Sequence, residues 1–233
     1  MAFHLLHMIK AGVGRLRRPA FDARAAVELT RFGLPFFPAT RYALAPSALL
    51  TVLNDVIVNK RRTILELGSG YSSIYIAKAL ESAAPDGGVV ITVDAHAGWL
   101  DQVVEKARAA GVADRVRAVH APLAPIPGDA DGAYWYDMAP IIEALAGASI
   151  DLMLVDGPVA SGKAVAYARA PAVPMLKDRL SADCAVYLDD IHRPSHAEIA
   201  KQWSETLGLA FEHHHARGGF AYAARGESFD PII

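Results

Sequence analysis

A single cysteine, Cys184, stands in 233 residues, which excludes an intramolecular disulfide framework and any zinc site built from several thiolates. It falls in an apolar, strand-like run, where a buried inert thiol is expected, and such sparing use of cysteine fits a cytoplasmic protein. No run of about eighteen apolar residues occurs, although 53% of the chain is hydrophobic, so no membrane-spanning helix is expected. Clustered basic residues are lacking and the formal net charge is −2, which argues against nucleic acid as a partner because phosphate backbones require a concentrated positive surface. Repeats and low-complexity linkers are missing as well. The length suits one α/β domain with an N-terminal extension.

What is present begins with a basic, apolar arm, MAFHLLHMIKAGVGRLRR. A secretory signal places its charges before a longer apolar stretch, whereas here the charges come last. The arm reads as an amphipathic helix that packs on the domain or on a second subunit, or that touches a membrane surface. A homodimer is one expected consequence. Residues 1–46 are therefore expected to form a helical arm or lid, and 47–233 the main domain.

Strand and helix signals then alternate. Asp22–Phe32 reads as a helix with Asp22 as N-cap and Gly33 as its stop. The stretch LPFFPATRYALAPS reads as an ordered loop that covers part of a cleft, and Ser47–Asn59 as an amphipathic helix. Strands are expected at Ile64–Leu67, Val89–Val93, Val116–His120, Ile150–Val155 and Ala185–Leu188. Helical segments fall at Tyr71–Leu80, Gly98–Ala110, Ala164–Leu180 (broken by Pro171 and Pro174) and Ser195–Leu207. Two late strands, Ala210–His214 and Phe220–Ala224, form a hairpin around Arg217, Gly218 and Gly219. Alternation of this kind predicts an α/β fold: a Rossmann-like, doubly wound, seven-stranded, mostly parallel sheet with a C-terminal antiparallel strand.

The segment ILELGSG, Ile64–Gly70, is a buried strand breaking into a glycine turn that opens a helix. Gly68 and Gly70 let the backbone approach a ligand and aim N–H groups at a negative group, while Glu66 is placed to accept hydrogen bonds from a cationic amine. A dinucleotide site wants a third glycine, and Ser73 stands there instead. With Glu66 in front, the segment resembles the first motif of class I S-adenosylmethionine-dependent methyltransferases. The resemblance extends over about Ser47–Arg225 and implies the same sheet.

In an open parallel sheet, ligands collect at the carboxyl ends of the strands. Asp94, at the end of the second strand, is the acid that the resemblance assigns to the ribose hydroxyls, with Ala95 beside it; a helix N-cap is its plain structural alternative. His96 and Trp99 offer flat rings for adenine, and His120 and Ala121 close the third strand near the same ring. Ser69, Tyr71 and Ser72 are candidates to hold the methionine carboxylate, or merely to cap the next helix.

LMLVDGP places Asp156 at the end of the fourth strand, and VYLDD places Asp189 and Asp190 at the end of the fifth. Adjacent strands lie about 4.8 Å apart, so these carboxylates converge. A divalent cation such as Mg2+ would relieve their repulsion. The pattern resembles metal-dependent O-methyltransferases of the catechol, sugar and macrolide types, in which the ion grips the acceptor hydroxyl. The alternative is that Asp156 contacts the cofactor amine while Asp189 and Asp190 cap a helix or pair with Arg193.

The sequence departs from that family at the base, because the position three residues after Asp156 is Val159. His192 and, after it, Lys163 are the substitutes, and Asp156 is the third catalytic candidate. His213 and His215 share one face of a late strand, which reads as an edge strand rather than a metal site. The aromatics Phe36, Phe37, Tyr42, Tyr134, Trp135 and Tyr136 are candidates to wall an acceptor pocket. The expected activity is S-adenosylmethionine-dependent O-methylation of a small-molecule or carbohydrate hydroxyl, assisted by a divalent cation. A metal-independent methyltransferase and a non-catalytic cofactor-binding module are the alternatives.

Overall fold

The computed structural model describes residues 20–37, 40, 42–126, 133–160, 165–214, 219–226 and 228–233. The basic arm, residues 1–18, therefore lies outside the described residues, as do Lys163, His215, Arg217 and Gly218. Residues 20–29 form helix α1, followed by a 3-10 turn, Thr30–Phe32, that ends on Gly33 in the left-handed region. Asp22 lies inside α1 rather than at its cap. Its Oδ1 instead accepts from the Ser47 backbone N–H at 3.1 Å, satisfying the first turn of the next helix, α2 (Pro46–Val58).

Five parallel strands follow the expected alternation: β1 (Thr63–Leu67), β2 (Val89–Asp94), β3 (Val116–His120), β6 (Ile150–Val155) and β7 (Leu180–Leu188). A late hairpin supplies β8 (Glu212–His214) and β9 (Phe220–Arg225), with β9 antiparallel to both neighbours. The order across the sheet is β3-β2-β1-β6-β7-β9-β8. The sheet starts at β1 and is extended outward both ways, so the carboxyl ends of β1, β2, β6 and β7 face one edge.

The side-chain period of two divides the strands between two cores. Leu65 and Leu67 of β1 enter the core under α5 (Met138–Leu145), α6 (Ala172–Leu176) and α7 (Pro194–Leu207), while Ile64 enters the core under α2, α3 (Tyr71–Ala83) and α4 (Ala97–Ala109). A second, two-stranded sheet, β4 (Leu123–Pro125) with β5 (Tyr134–Tyr136), and the helix α5 escape the sequence reading. Their strands span three residues each, too short to show a period.

Two expected elements change form. Ala164–Leu180 becomes turns over the described part, the short α6 and a 3-10 turn, Lys177–Arg179, because Pro171 and Pro174 interrupt any longer helix. The fifth strand starts earlier than Ala185, at Leu180, with a register irregularity against β6 between Ile150 and Leu152. Cys184 is buried in it, where burial raises its pKa. Among the described residues no helix is long and apolar enough to cross a membrane.

The opposite, amino end of the sheet is tied by a buried polar network. Arg61 gives Nε to Asp55 at 2.8 Å and Nη1 to Asp183 at 2.8 Å, and its Nη2 reaches Ser228 at 2.9 Å. The second oxygen of Asp55 accepts from the Tyr187 hydroxyl at 2.8 Å. The arrangement joins α2, β7 and the C-terminal segment through one guanidinium, whose fork suits several acceptors at once.

Candidate active site

Gly68, with φ of 97°, turns the chain at the end of β1. A Cβ placed there would lie 2.6 Å from the Gly157 nitrogen and 2.9 Å from the Asp156 carbonyl carbon. The reverse also holds, since a Cβ on Gly157 would sit 2.3 Å from the Tyr136 hydroxyl and 2.7 Å from the Gly68 Cα. The first glycine thus serves the close approach of two strand-end turns, whatever it also offers a ligand. Gly70 precedes α3, and its N–H donates to the Ser73 hydroxyl at 3.2 Å.

Glu66 points inward. It is fully buried and accepts short hydrogen bonds from the Ser72 and Ser73 hydroxyls, and one from Thr92 at 2.7 Å. Ser73, which stands where a dinucleotide site would have its third glycine, is thereby explained: its hydroxyl braces the acid beneath the turn. Ser72 is spent in the same way, so neither group faces an open cleft.

Burial pushes the Glu66 carboxyl up to about 7 from 4.5, against the opposing pull of its hydroxyl donors. Folding therefore takes up a proton between these values, and stability falls as pH rises through them, by up to about 1.4 kcal/mol per pH unit. Below the lower value the neutral acid carries no penalty. Glu66→Gln is expected to lack this slope, so the difference in urea midpoint between variant and wild type should favour the variant more at about pH 8 than at about pH 5.

Asp94 closes β2 and grips the turn. Its Oδ2 accepts from the Ser69 N–H at 3.1 Å and the Ser69 hydroxyl at 2.8 Å, and its Oδ1 accepts from the His96 N–H at 2.9 Å. A carboxylate offers about four acceptor sites, and three are used. The Trp99 indole N–H donates to the Ser69 carbonyl at 2.9 Å, which holds the ring against the turn. Tyr71 meets Trp99 edge-on at 6.4 Å and stacks on Phe37 at 4.6 Å, so residues before α2 do reach over this end of the sheet.

His96 is the N-cap of α4, its Nδ1 accepting from the Trp99 N–H at 3.2 Å. The capping role is the one that the sequence allowed Asp94. His120, exposed at the end of β3, meets the Ala95 carbonyl through Nε2 at 3.2 Å, and Ala121 is buried. A half-exposed acid, two aromatic rings and a surface imidazole at one edge have the chemistry that a nucleoside requires.

β6 and β7 bring Asp156, Asp189 and Asp190 together, with one oxygen from each lying within 4.8 Å of the others. Backbone register does this: the Asp156 N–H bonds the Leu67 carbonyl at 2.8 Å and the Asp189 N–H the Val155 carbonyl at 3.1 Å. Asp190 adopts a left-handed φ of 61°, a conformation that aspartate tolerates better than most residues. Asp189 is buried and its Oδ1 lacks a hydrogen-bond partner among the described residues. Burial, then the charges of Asp156 and Asp190, push its carboxyl well up. Asp156 is raised to about 6, chiefly by burial, with Arg169 pulling the other way.

Arg169 is the residue that sequence reasoning missed. It is 4% exposed, and its Nη2 lies 3.0 Å from Asp156 and 3.6 Å from Asp190. Arg193 bonds the same Asp190 oxygen at 2.8 Å, as the pairing alternative anticipated. The oxygen set has the hardness that a divalent cation prefers, and two guanidinium groups, those of Arg169 and Arg193, stand against it. His192 lies at the rim, its Nδ1 3.9 Å from Asp190.

Two more residues belong to this edge. Tyr136 is buried beside Gly157, and its phenol is pushed upward first by burial and then by Asp94. His196 is fully buried on α7, with Nδ1 3.0 Å from the Asp189 carbonyl, and burial lowers it to about 4. Tyr136 is among the aromatics read as a pocket wall, whereas no local pattern marks His196. Trp135 is a core residue, whereas Tyr134 is exposed. His213 and His214 lie on the edge strand β8, away from the carboxylates along the sheet order.

The family model for a methyltransferase domain matches residues 65–191, more than half of the chain. No curated protein sequence matches. Among solved structures, the chain is similar to an O-methyltransferase from Bacillus cereus in complex with SAH, at 16% identity and TM-score 0.56, over 89% of this chain and 91% of that one. It is also similar to the O-methyltransferase TomG from Streptomyces achromogenes, involved in tomaymycin synthesis and solved with SAM, at 21% identity and TM-score 0.53, over 88% and 90%. A SAH-bound methyltransferase from Podospora anserina, PaMTH1, matches at 18% identity and TM-score 0.56, over 91% and 94%. With the strand order, the glycine turn and the acid at the end of β2 in place, the chain belongs to the methyltransferase-domain family, as a class I S-adenosylmethionine-dependent methyltransferase.

Proposed function

We propose that this protein methylates a hydroxyl oxygen of a small molecule or carbohydrate. The observation that carries this reading is the alignment of Asp94 on one side of the Gly68–Gly70 turn with the Asp156, Asp189 and Asp190 group on the other, along one carboxyl edge. S-adenosylmethionine, when bound, supplies an electrophilic methyl carbon. Asp94 has acceptor capacity left for ribose hydroxyls, Trp99 and Tyr71 wall the nucleoside, and Ser69 and Gly70 line the turn. Phe37 serves as a lid residue over this end, supported by its stack on Tyr71.

The acceptor hydroxyl is held at Asp156 and Asp190, and its proton passes to His192, whose cation Asp190 then stabilises. That one structural neighbour serves the synthesis of a small molecule supports the same class of acceptor. The convergence of three carboxylates favours a second reading, in which Asp156, Asp189 and Asp190 hold Mg2+ or another divalent cation that lowers the pKa of the hydroxyl. It requires Arg169 to leave its place. Activity that survives a chelator selects the metal-free form.

Calorimetric titration with S-adenosylhomocysteine tests the proposal. Micromolar binding is expected for the wild type, weakened by about tenfold or more in Asp94→Ala. His192→Ala is expected to bind as the wild type does but to lower kcat by roughly 100-fold. Folded wild-type protein that ignores the ligand would sink the reading.

A further inference from the structure

Three carboxylates at the ends of two adjacent strands need a positive partner, and the chain supplies one. Arg169 comes from the irregular stretch between β6 and α6, yet it is held as firmly as a core residue. The Trp203 indole N–H bonds the Ala170 carbonyl at 2.9 Å, and the Tyr167 hydroxyl bonds Glu198, so the stretch is fastened to α7 on both sides of the arginine. The guanidinium uses each of its nitrogens: Nε toward the Pro158 carbonyl at 3.4 Å, Nη1 toward the Asp189 carbonyl at 3.3 Å and Nη2 toward Asp156 at 3.0 Å.

We propose that Arg169 is the resident cation of this site, its guanidinium taking the place between Asp156 and Asp190 where a divalent ion would have to sit. An ion shared by those two carboxylates needs oxygens at about 2.0–2.6 Å, and Nη2 contacts one oxygen of each. Arg193 adds a second positive charge on Asp190. Two guanidinium groups stand against the three carboxyl groups and offset their repulsion without a dication. A tethered cation also gives up little entropy, because its position is fixed before any ligand arrives. Arg169 thereby positions Asp156 and Asp190 for the acceptor hydroxyl and makes the site independent of divalent metal.

The inference refines the site used in the proposed function, but its test involves neither cofactor nor acceptor. Mn2+ is titrated into chelator-treated full-length protein and followed by its electron paramagnetic resonance signal. The wild type and Arg169→Lys are expected to show no one-to-one site up to millimolar ion, whereas Arg169→Met is expected to gain one, at least about tenfold tighter. Asp156→Asn added to Arg169→Met should remove it again. A micromolar one-to-one site in the wild type, equal to that of Arg169→Met, overturns the proposal. Should Arg169→Met fail to fold, the wild-type titration decides alone: a micromolar site refutes it, and none at millimolar ion sustains it. Loss of S-adenosylhomocysteine binding would sink the methyl-transfer reading and leave this result untouched.

Discussion

Gly68→Ala is expected to cost about 3 kcal/mol or more of stability and to abolish cofactor binding in whatever protein still folds. Two penalties add. The residue sits at a φ of 97°, which an L side chain rarely adopts, and its new methyl would press on the Gly157 nitrogen at 2.6 Å. Backbone cannot rotate away as a side chain can. Relief must come from moving β1 and β6 apart at their carboxyl ends, which shifts Asp156 and the turn together. Urea unfolding monitored by circular dichroism measures the first effect, and S-adenosylhomocysteine titration the second. A variant within about 0.5 kcal/mol of the wild type would show that the two turns are not in contact. For this reason Asp94→Ala, and not a glycine variant, is the proper probe of the cofactor site itself.

The second large effect is expected at the other end of the sheet. Arg61→Met should destabilise the fold by about 3–5 kcal/mol, because it strands a buried charge rather than because the ion pair is strong. Asp55 is fully buried and has Arg61 as its cationic partner, while Asp183, the other carboxylate on that guanidinium, is half exposed and can turn to water. Asp55→Asn combined with Arg61→Met should recover part of the loss, which a double-mutant cycle by urea unfolding would measure. Single and double variants of equal stability would contradict this account. The network ties the amino ends of the strands, so residual folded protein should still bind S-adenosylhomocysteine.

Much of the framework was readable because it rests on local periods. Ile150–Val155 is a largely apolar run closed by an acid and Val116–His120 a valine-containing stretch closed by a histidine, and both form strands with the expected bounds. The same reading placed Asp94, Asp156, Asp189 and Asp190 at the carboxyl ends of strands, since a strand ends where its apolar run gives way to a turn. β4 and β5 were invisible because three residues carry no period. Asp22 misled because a residue type suited to a cap was already inside a helix, and its carboxylate found its donor 25 positions away.

Orientation was less accessible than position. Glu66 stands where the motif puts it, but its carboxylate turns down to Ser72, Ser73 and Thr92, a choice set by how tightly α3 and β2 pack on β1. Arg169 lies 13 residues from Asp156, in a segment that reads as part of a broken helix and folds as turns. Only the path of that segment over α7 brings its guanidinium to the carboxylates.

Local sequence is enough to settle the alternation of strands and helices, the glycine turn after the first strand and the four acids that close three of the strands. Each depends on neighbours within a few residues, where apolar period and turn chemistry are decisive. Tertiary structure alone decided which way those acids face, what lies between the turns at Gly68 and Gly157, and which cation meets the carboxylate cluster. Those outcomes depend on distances between segments far apart in the chain, and a buried charge takes whichever partner the packing leaves within reach.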